Sequence, residues 1–176
     1  MRIWMSLLLG GWLLGTLLVA GVAAENFFMI DRLLHSSAHP SFESAVAALP
    51  SGEARAMLRY LSSELNRYYF EVWGWMQLGL ALPLLAGAFK LRQRKLVIGF
   101  SLMLPLVAVM IFYLTPQIVS IGRSLDFVPR EPPPPGLAAF GRLHAAYSFL
   151  DLALLLAGGW MAVGLIRNRT DGRERD

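Results

Sequence analysis

Long apolar runs divide this chain into segments that can each cross a membrane as a helix. Charged residues are nearly absent from four runs, at 3–24, 72–89, 96–121 and 143–166. A helix rises about 1.5 Å per residue, so runs of this length match roughly 30 Å of hydrocarbon. None of the runs alternates apolar and polar residues, which excludes a membrane β-barrel. The pattern therefore predicts an all-α, integral membrane four-helix bundle.

An amphipathic segment precedes the second run. Apolar residues between Ala54 and Val72 recur every three or four positions, which is typical of one face of a helix. We expect Ser51 to cap the start of this helix, and no breaker separates the segment from the second run. The sequence therefore predicts one long helix over 52–89, whose first half is an extracytoplasmic extension of helix two.

The whole chain is predicted to form a single domain followed by a short tail. The domain covers 1–166, and the charged cytoplasmic tail covers 167–176. The expected helices lie at about 3–30, 52–89, 96–121 and 138–166.

The positions of the basic residues predict the orientation in the membrane. Basic residues lie at Arg2, in 90–95 and in 167–175, next to ends of the apolar runs. Short basic loops remain in the cytoplasm, so both termini are expected there, in the inner membrane of a bacterium, with 25–71 and 122–142 outside. The net charge of +4 then reflects orientation and attraction to anionic lipid rather than nucleic-acid binding.

The first run has a second interpretation. Met1-Arg2, an apolar stretch and Val22-Ala23-Ala24 together resemble a secretory signal peptide with a small-residue cleavage site. The apolar stretch spans 22 residues, however, which is longer than the usual core of about 7–15. Gly11-x-x-x-Gly15 also resembles a helix-packing face. We favour a first helix that is retained, and cleavage remains the alternative.

Several enzyme classes need residues that this sequence lacks. It contains no cysteine, which removes disulfides, thiolate metal sites and thiol-based redox chemistry. It also has no Gly-x-Ser-x-Gly, His-Glu-x-x-His or phosphate-binding motif. We therefore expect no enzymatic activity and no bound cofactor.

Polar residues near the membrane runs are concentrated towards the predicted outer side. Asp151 precedes Arg167 by sixteen residues, which places it about 24 Å from the inner boundary. A central Asp costs roughly 2.5–3.5 kcal/mol on insertion scales, so such residues are candidates for function. The predicted polar layer consists of Asp151, His144, Glu71, Gln77, Glu25, Asn26 and Gln117.

The polar residues of the fourth helix have three interpretations. His144, Ser148 and Asp151 share one helical face. They could form a cation or proton site, with Asp151 as the carboxylate and His144 as the titratable group. They could instead form a hydrogen-bond network that fixes the helix register, which we favour. A third possibility is that Asp151 pairs with Arg142 or Arg67.

Two histidines in the first outer segment are weak candidates for a metal site. His35 and His39 are four residues apart and would share a face if that segment were helical. Pro40 disfavours a continuous helix there. We therefore favour solvent-facing loop histidines and no bound metal.

Short motifs along the chain resemble a known family. They are Trp12-Leu13-Leu14-Gly15 with Ala24 and Phe28, the pair Tyr68-Tyr69, and Phe140-Gly141-Arg142-Leu143-His144. Together they resemble the transmembrane protein 205-like family (domain of unknown function 4149), which has four membrane helices. Glu25 stands where that family tends to have Pro, and Leu14 interrupts its Trp-x-Gly element. The resemblance implies the four-helix topology and singles out His144, and it implies no activity, substrate or cofactor.

These observations leave three functional hypotheses. We favour a small non-catalytic membrane protein, an accessory or interaction subunit whose partners are the lipid bilayer, other membrane subunits or itself. The alternative is a carrier or binding protein for a cation or small solute that uses the polar layer in the outer leaflet. The second alternative is a cofactor-binding electron-transfer subunit. The apolar inner half of the bundle argues against a transport path through a monomer.

Overall fold

Long helices account for nearly all of the described chain. The computed structural model describes residues 1–36 and 39–173, with side chains up to residue 166, and those residues contain no strand. The elements are α1 (Arg2–His35), α2 (Pro40–Ala47), α3 (Glu53–Lys90), α4 (Arg94–Val109), a π-helical turn (Met110–Leu114), α5 (Thr115–Ser124) and α6 (Leu137–Arg173). The all-α prediction is confirmed. Helix α6 runs into the segment expected to be a tail, and 174–176 lie outside the described residues.

Four helical rods are long and apolar enough to span a membrane. They are Arg2–His35, Glu53–Lys90, the continuous rod Arg94–Ser124 and Leu137–Ile166. The mean hydropathy of their most apolar windows lies between 1.4 and 2.4, and at most 39% of the residues in any window are buried inside the bundle. Most of the apolar surface therefore points outward, where lipid would cover it. By length and composition, this is an integral membrane helical bundle.

Successive rods run antiparallel, which gives the bundle two distinct ends. Asp31 on α1 pairs with Arg55 near the start of α3, whereas Met5 lies against Gly87 near the end of α3. We call the end that holds the N-terminus and 91–93 the turn end. The opposite end holds 39–52 and 125–136, and we call it the connection end. Helix α1 packs against both α3 and α6, so it is an integral part of the bundle.

Close helix packing depends on small residues at the crossings. A Cβ atom at Gly158 of α6 would lie 2.9 Å from Leu13 Cδ2 of α1, and one at Gly74 of α3 would lie 2.9 Å from Ile111 Cγ1. A Cβ atom at Gly15 would overlap the indole of Trp73. Lipid removes the hydrophobic drive for helices to associate, so these close approaches supply much of the attraction through van der Waals contact.

A short helix precedes α3, and the start of α3 differs from the prediction. Pro40 opens α2, where its missing N–H costs nothing, and the His39 side chain accepts a hydrogen bond from the Ser41 N–H at 3.3 Å. Helix α3 begins at Glu53 with Gly52 as its N-cap, at φ 84°, a conformation that glycine adopts without a Cβ clash. The prediction that Ser51 caps α3 is therefore wrong.

The third rod contains a π-helical turn directly before a proline. The Thr115 N–H donates to the Met110 carbonyl, five residues earlier, instead of the usual four. This wider turn places Pro116 in the first turn of α5, where a missing N–H is tolerated. The turn thus lets the rod pass a proline without a broken helix.

We expect Gly15→Ala to destabilise the bundle by about 1–3 kcal/mol, because the added methyl group must displace Trp73. The matched control is Gly11→Ala, on the same helix, where a Cβ atom meets nothing within 4 Å. Thermal unfolding of both purified variants in one detergent measures the difference. Equal stability of the two variants would contradict the close α1–α3 crossing.

Candidate functional site

The structure distributes the predicted polar layer over several environments. Gln77 is buried, and Asn26 and Asp151 are partly buried. The exposed members are Glu25, Glu71, Gln117 and His144. Glu25 pairs with Arg32 of its own helix at 3.0 Å.

Gln77 is the centre of a buried polar cluster between α1 and α3. Its side chain is fully buried, and its amide oxygen accepts hydrogen bonds from Trp73 Nε1 at 3.1 Å and Trp12 Nε1 at 3.3 Å. The amide is assigned this orientation because the reverse one would direct its N–H groups at the two indole N–H groups. Thr16 Oγ1 lies 3.3 Å from the same end of the amide.

Asp151 is not neutralised by a basic residue in the described part of the chain. Its Oδ1 atom is buried and has no hydrogen-bond partner within the described residues. No ion pair in that part of the chain includes Asp151, since Arg67 pairs with Asp126 and Glu64. The hypothesis that Arg67 neutralises Asp151 is therefore wrong.

A second hydrogen-bonded group joins α1 to α3 about three turns nearer the connection end. Asn26 Nδ2 donates to Asn66 Oδ1 at 2.7 Å, and Asn66 Nδ2 donates to the Ala23 carbonyl at 2.9 Å. Ser62 Oγ donates to the Asn26 carbonyl at 3.0 Å. The sequence analysis missed Ser62 and Asn66, although their i, i+4 spacing places both on one face of α3. These bonds fix the register between the two helices.

An ion-pair cluster ties the connection after α5 to α3. Arg67 donates to both carboxylate oxygens of Asp126, at 2.8 and 3.0 Å, and both side chains are at most 15% exposed. Glu64 accepts from Arg67 and, at 3.2 Å, from Arg123. Such bidentate arginine–carboxylate pairs hold geometry as well as charge. The sequence analysis did not find this cluster, because Asp126 is 59 residues from Arg67.

The Glu64 carboxylate is the acid of this cluster whose pKa is clearly lowered. It lies before the apolar run 72–89. Hydrogen bonds donated by Arg123 and then by Arg67 favour the ionised form, and together they outweigh the opposing effect of burial on the pKa. Glu64 therefore remains a carboxylate at neutral pH, and the cluster keeps its charge balance.

Two adjacent pockets lie between the rods at the connection end; we call them the lower and the upper chamber and, together, the cleft. The lower chamber has a volume of about 120 Å³ and the upper one about 370 Å³. Four residues line both chambers, Phe27, Ser63, Arg67 and Phe140. They belong to α1, α3 and α6, so the cleft is formed by helices distant in the chain.

The lower chamber is mainly aromatic. Its rings are those of Phe27, Phe70, Phe140, His144 and Tyr147. His144 stacks on Phe140 with ring centroids 5.9 Å apart and planes 16° apart, and Phe70 contacts Tyr147 edge to face at 5.4 Å. No carboxylate lines this chamber, and Asp151 lies outside it. The predicted cation site of His144 with Asp151 therefore has no shared cavity among these lining residues.

The upper chamber is strongly basic. Four arginines line it, Arg55, Arg59, Arg67 and Arg130, against the single carboxylate of Asp126. Gly52 also lines it, so the first turn of α3 begins at its wall. Charge in this chamber is therefore unbalanced in favour of anions.

The two predicted metal candidates lie apart from the cleft. His35 is exposed, and its Nδ1 atom is 2.9 Å from the Asp31 carbonyl. His39 is exposed and caps α2. Across residues 1–36 and 39–173, no group of three His, Cys, Asp or Glu side chains is arranged to hold a metal ion.

Comparison with known proteins adds no assignment. The chain matches no protein-family model, no curated protein and no solved structure. The resemblance to the transmembrane protein 205-like family therefore stays a prediction, and the function has to be argued from the geometry.

We expect Gln77→Leu to destabilise the protein by about 1–2 kcal/mol, because two buried indole N–H groups lose their partner. The matched control is Gln117→Leu at an exposed position, which should change stability by less than about 0.5 kcal/mol. Thermal unfolding in one detergent compares the two. Similar values for both variants would show that the buried cluster contributes nothing to stability.

Proposed function

We propose that this chain is a small non-catalytic integral membrane protein that binds a small solute in the cleft at its connection end. The connection end faces the extracytoplasmic side of a bacterial inner membrane, and both termini lie in the cytoplasm. The basic residues at the turn end support this orientation, because short basic segments stay cytoplasmic. The packing of α1 against α3 and α6 supports its retention as a membrane helix.

The cleft is the observation that carries this proposal. Small-molecule sites are typically concave, mostly apolar and furnished with a few polar groups. The lower chamber supplies the apolar wall, and Arg67, Asn66 and His144 supply polar groups at fixed positions. The upper chamber, at about 370 Å³, is large enough for a small solute.

Binding without transport or reaction fits the rest of the molecule. At the turn end, the core consists of fully buried apolar side chains such as Leu9, Leu84 and Phe100. A polar solute has no polar path through that half of the described bundle. In the lower chamber, the described residues show no hydrogen bond between the His144 ring and the hydroxyl of Ser63 or Thr115, as a nucleophile and its base would need. A protein that binds a solute without transporting or altering it exerts its effect through a partner protein. We therefore propose an accessory role in a membrane assembly.

The orientation is tested by labelling single cysteines, since the chain has none of its own. A membrane-impermeant maleimide should label Ser51→Cys in intact cells, because residue 51 lies at the connection end. It should label Gln93→Cys only after the membrane is disrupted. The reverse pattern would overturn the proposed topology.

Solute binding is tested by blocking the cleft. Ser63 lines both chambers, so Ser63→Phe should fill the passage between them. Mass spectrometry of small molecules that co-purify in mild detergent should show a species retained by the unaltered protein and lost from this variant. Ser120→Phe, at an exposed position that lines neither chamber, is the matched control and should retain it.

Thermal unfolding checks that Ser63→Phe remains folded, and Ser63→Leu replaces it if it does not. A species retained equally by both variants, or no retained species at all, would overturn solute binding in the cleft.

A further inference from the structure

We propose that the ligand of this cleft is an amphipathic oxyanion: a compact ring-shaped apolar group that carries a carboxylate or phosphate. This inference rests on the proposed function and adds the chemical class of the solute. The apolar group occupies the lower chamber, and the anionic group binds Arg59 and Arg130 in the upper chamber.

The charge of the ligand follows from the arginines of the upper chamber. Arg67 is neutralised by Asp126, and Arg55 pairs with Asp31 at 2.6 Å. Arg59 and Arg130 also line the chamber but form no ion pair in the described part of the chain. Two guanidinium groups therefore remain available, and their planar donor forks suit carboxylate and phosphate oxygens.

The surroundings of these arginines favour the same charge. Two acidic residues follow chamber-lining residues in the sequence, Glu53 after Gly52 and Glu131 after Arg130, but neither acid lines the chamber itself. The start of α3 does line it through Gly52, and the first N–H groups of a helix carry a partial positive charge. A cation in the upper chamber would meet Asp126 alone, which Arg67 already occupies.

The size of the apolar group follows from the lower chamber. Its volume of about 120 Å³ is close to the roughly 150 Å³ of an apolar cavity known to hold benzene. Its aromatic walls can stack on a ring or meet it edge to face. A full lipid acyl chain is too long for this volume, so a single ring or a group of similar size is indicated.

The two chambers are adjacent, and we call the place where their shared residues lie the neck. Phe27, Ser63, Arg67 and Phe140 border both spaces. The bidentate pair with Asp126 fixes Arg67 at this neck. A ligand with a ring below and an oxyanion above would pass this neck and contact both chambers at once, which neither inorganic phosphate nor an uncharged ring can do.

The test uses ¹⁹F NMR with the full-length protein in nanodiscs of zwitterionic lipid. The probes are 4-fluorophenyl phosphate, which has both halves, and 4-fluorobenzyl alcohol, which has the ring alone. Inorganic phosphate serves as a competitor. We expect saturable binding of the aryl phosphate, about tenfold or more tighter than the alcohol, and weak competition by phosphate.

Charge variants identify the anion site. Arg59→Gln combined with Arg130→Gln should weaken aryl phosphate binding about tenfold or more and leave binding of the alcohol unchanged. Replacing both arginines with Lys should restore part of the affinity. The matched control, Arg94→Gln with Lys95→Gln, removes the same charge at the turn end and should have no effect.

The outcomes separate the two proposals. If the alcohol binds as tightly as the aryl phosphate, or if the arginine and control variants behave alike, the oxyanion inference fails. Solute binding in the cleft would still stand if Ser63→Phe abolished binding of the alcohol. If the aryl phosphate shows no saturable binding, the inference fails whatever species co-purifies with the protein.

Discussion

Lipid tails solvate apolar side chains as well as a neighbouring helix does, so a membrane bundle needs specific contacts to hold one arrangement. In this protein those contacts converge on the crossing of α1 and α3. Gly15 lets Trp73 lie flush against α1, and the same indole donates to Gln77. The indole of Trp12, on α1, also donates a hydrogen bond to Gln77. Packing shape and hydrogen bonds therefore specify the same register between α1 and α3. This crossing in turn sets the spacing of the helices that form the cleft nearer the connection end.

Polar side chains become more numerous towards the connection end of the bundle, because a polar group in a membrane costs less free energy where it has hydrogen-bond or charge partners. At mid-depth, Gln77 is enclosed by partners from α1 and α3. Farther towards the connection end, Asn26 and Asn66 bond to each other and to backbone carbonyls. The ion pair of Arg67 with Asp126 lies beyond the apolar run of α3, at the connection end. The same gradient leaves the cleft as the place where charge and apolar wall meet.

The sequence predicted the features that depend on local composition. Apolar length identified the spanning rods, and the apolar face from Ala54 onward indicated the unbroken helix now seen as α3. It did not predict features that depend on contacts between distant segments. In the sequence, Asp126 is an ordinary polar residue of a connection between helices. Only the fold brings it to Arg67, 59 positions earlier. The sequence also left open a cation site shared by His144 and Asp151, and in the structure His144 lines the lower chamber while Asp151 does not.

The π-helical turn at Met110–Leu114 has a consequence for how the third rod can vary. Such a turn is equivalent to one residue inserted into a regular α-helix. Deletion of one residue within the turn would therefore restore a regular α-helix and leave the later residues close to their present positions. A deletion elsewhere in the rod would instead rotate everything after it by about 100°, since a turn holds about 3.6 residues. Gly122 would then leave its place beside Phe140, and Asp126 would swing away from α3. The π-helical turn is thus the part of this rod that can lose one residue while the wall of the cleft stays in place.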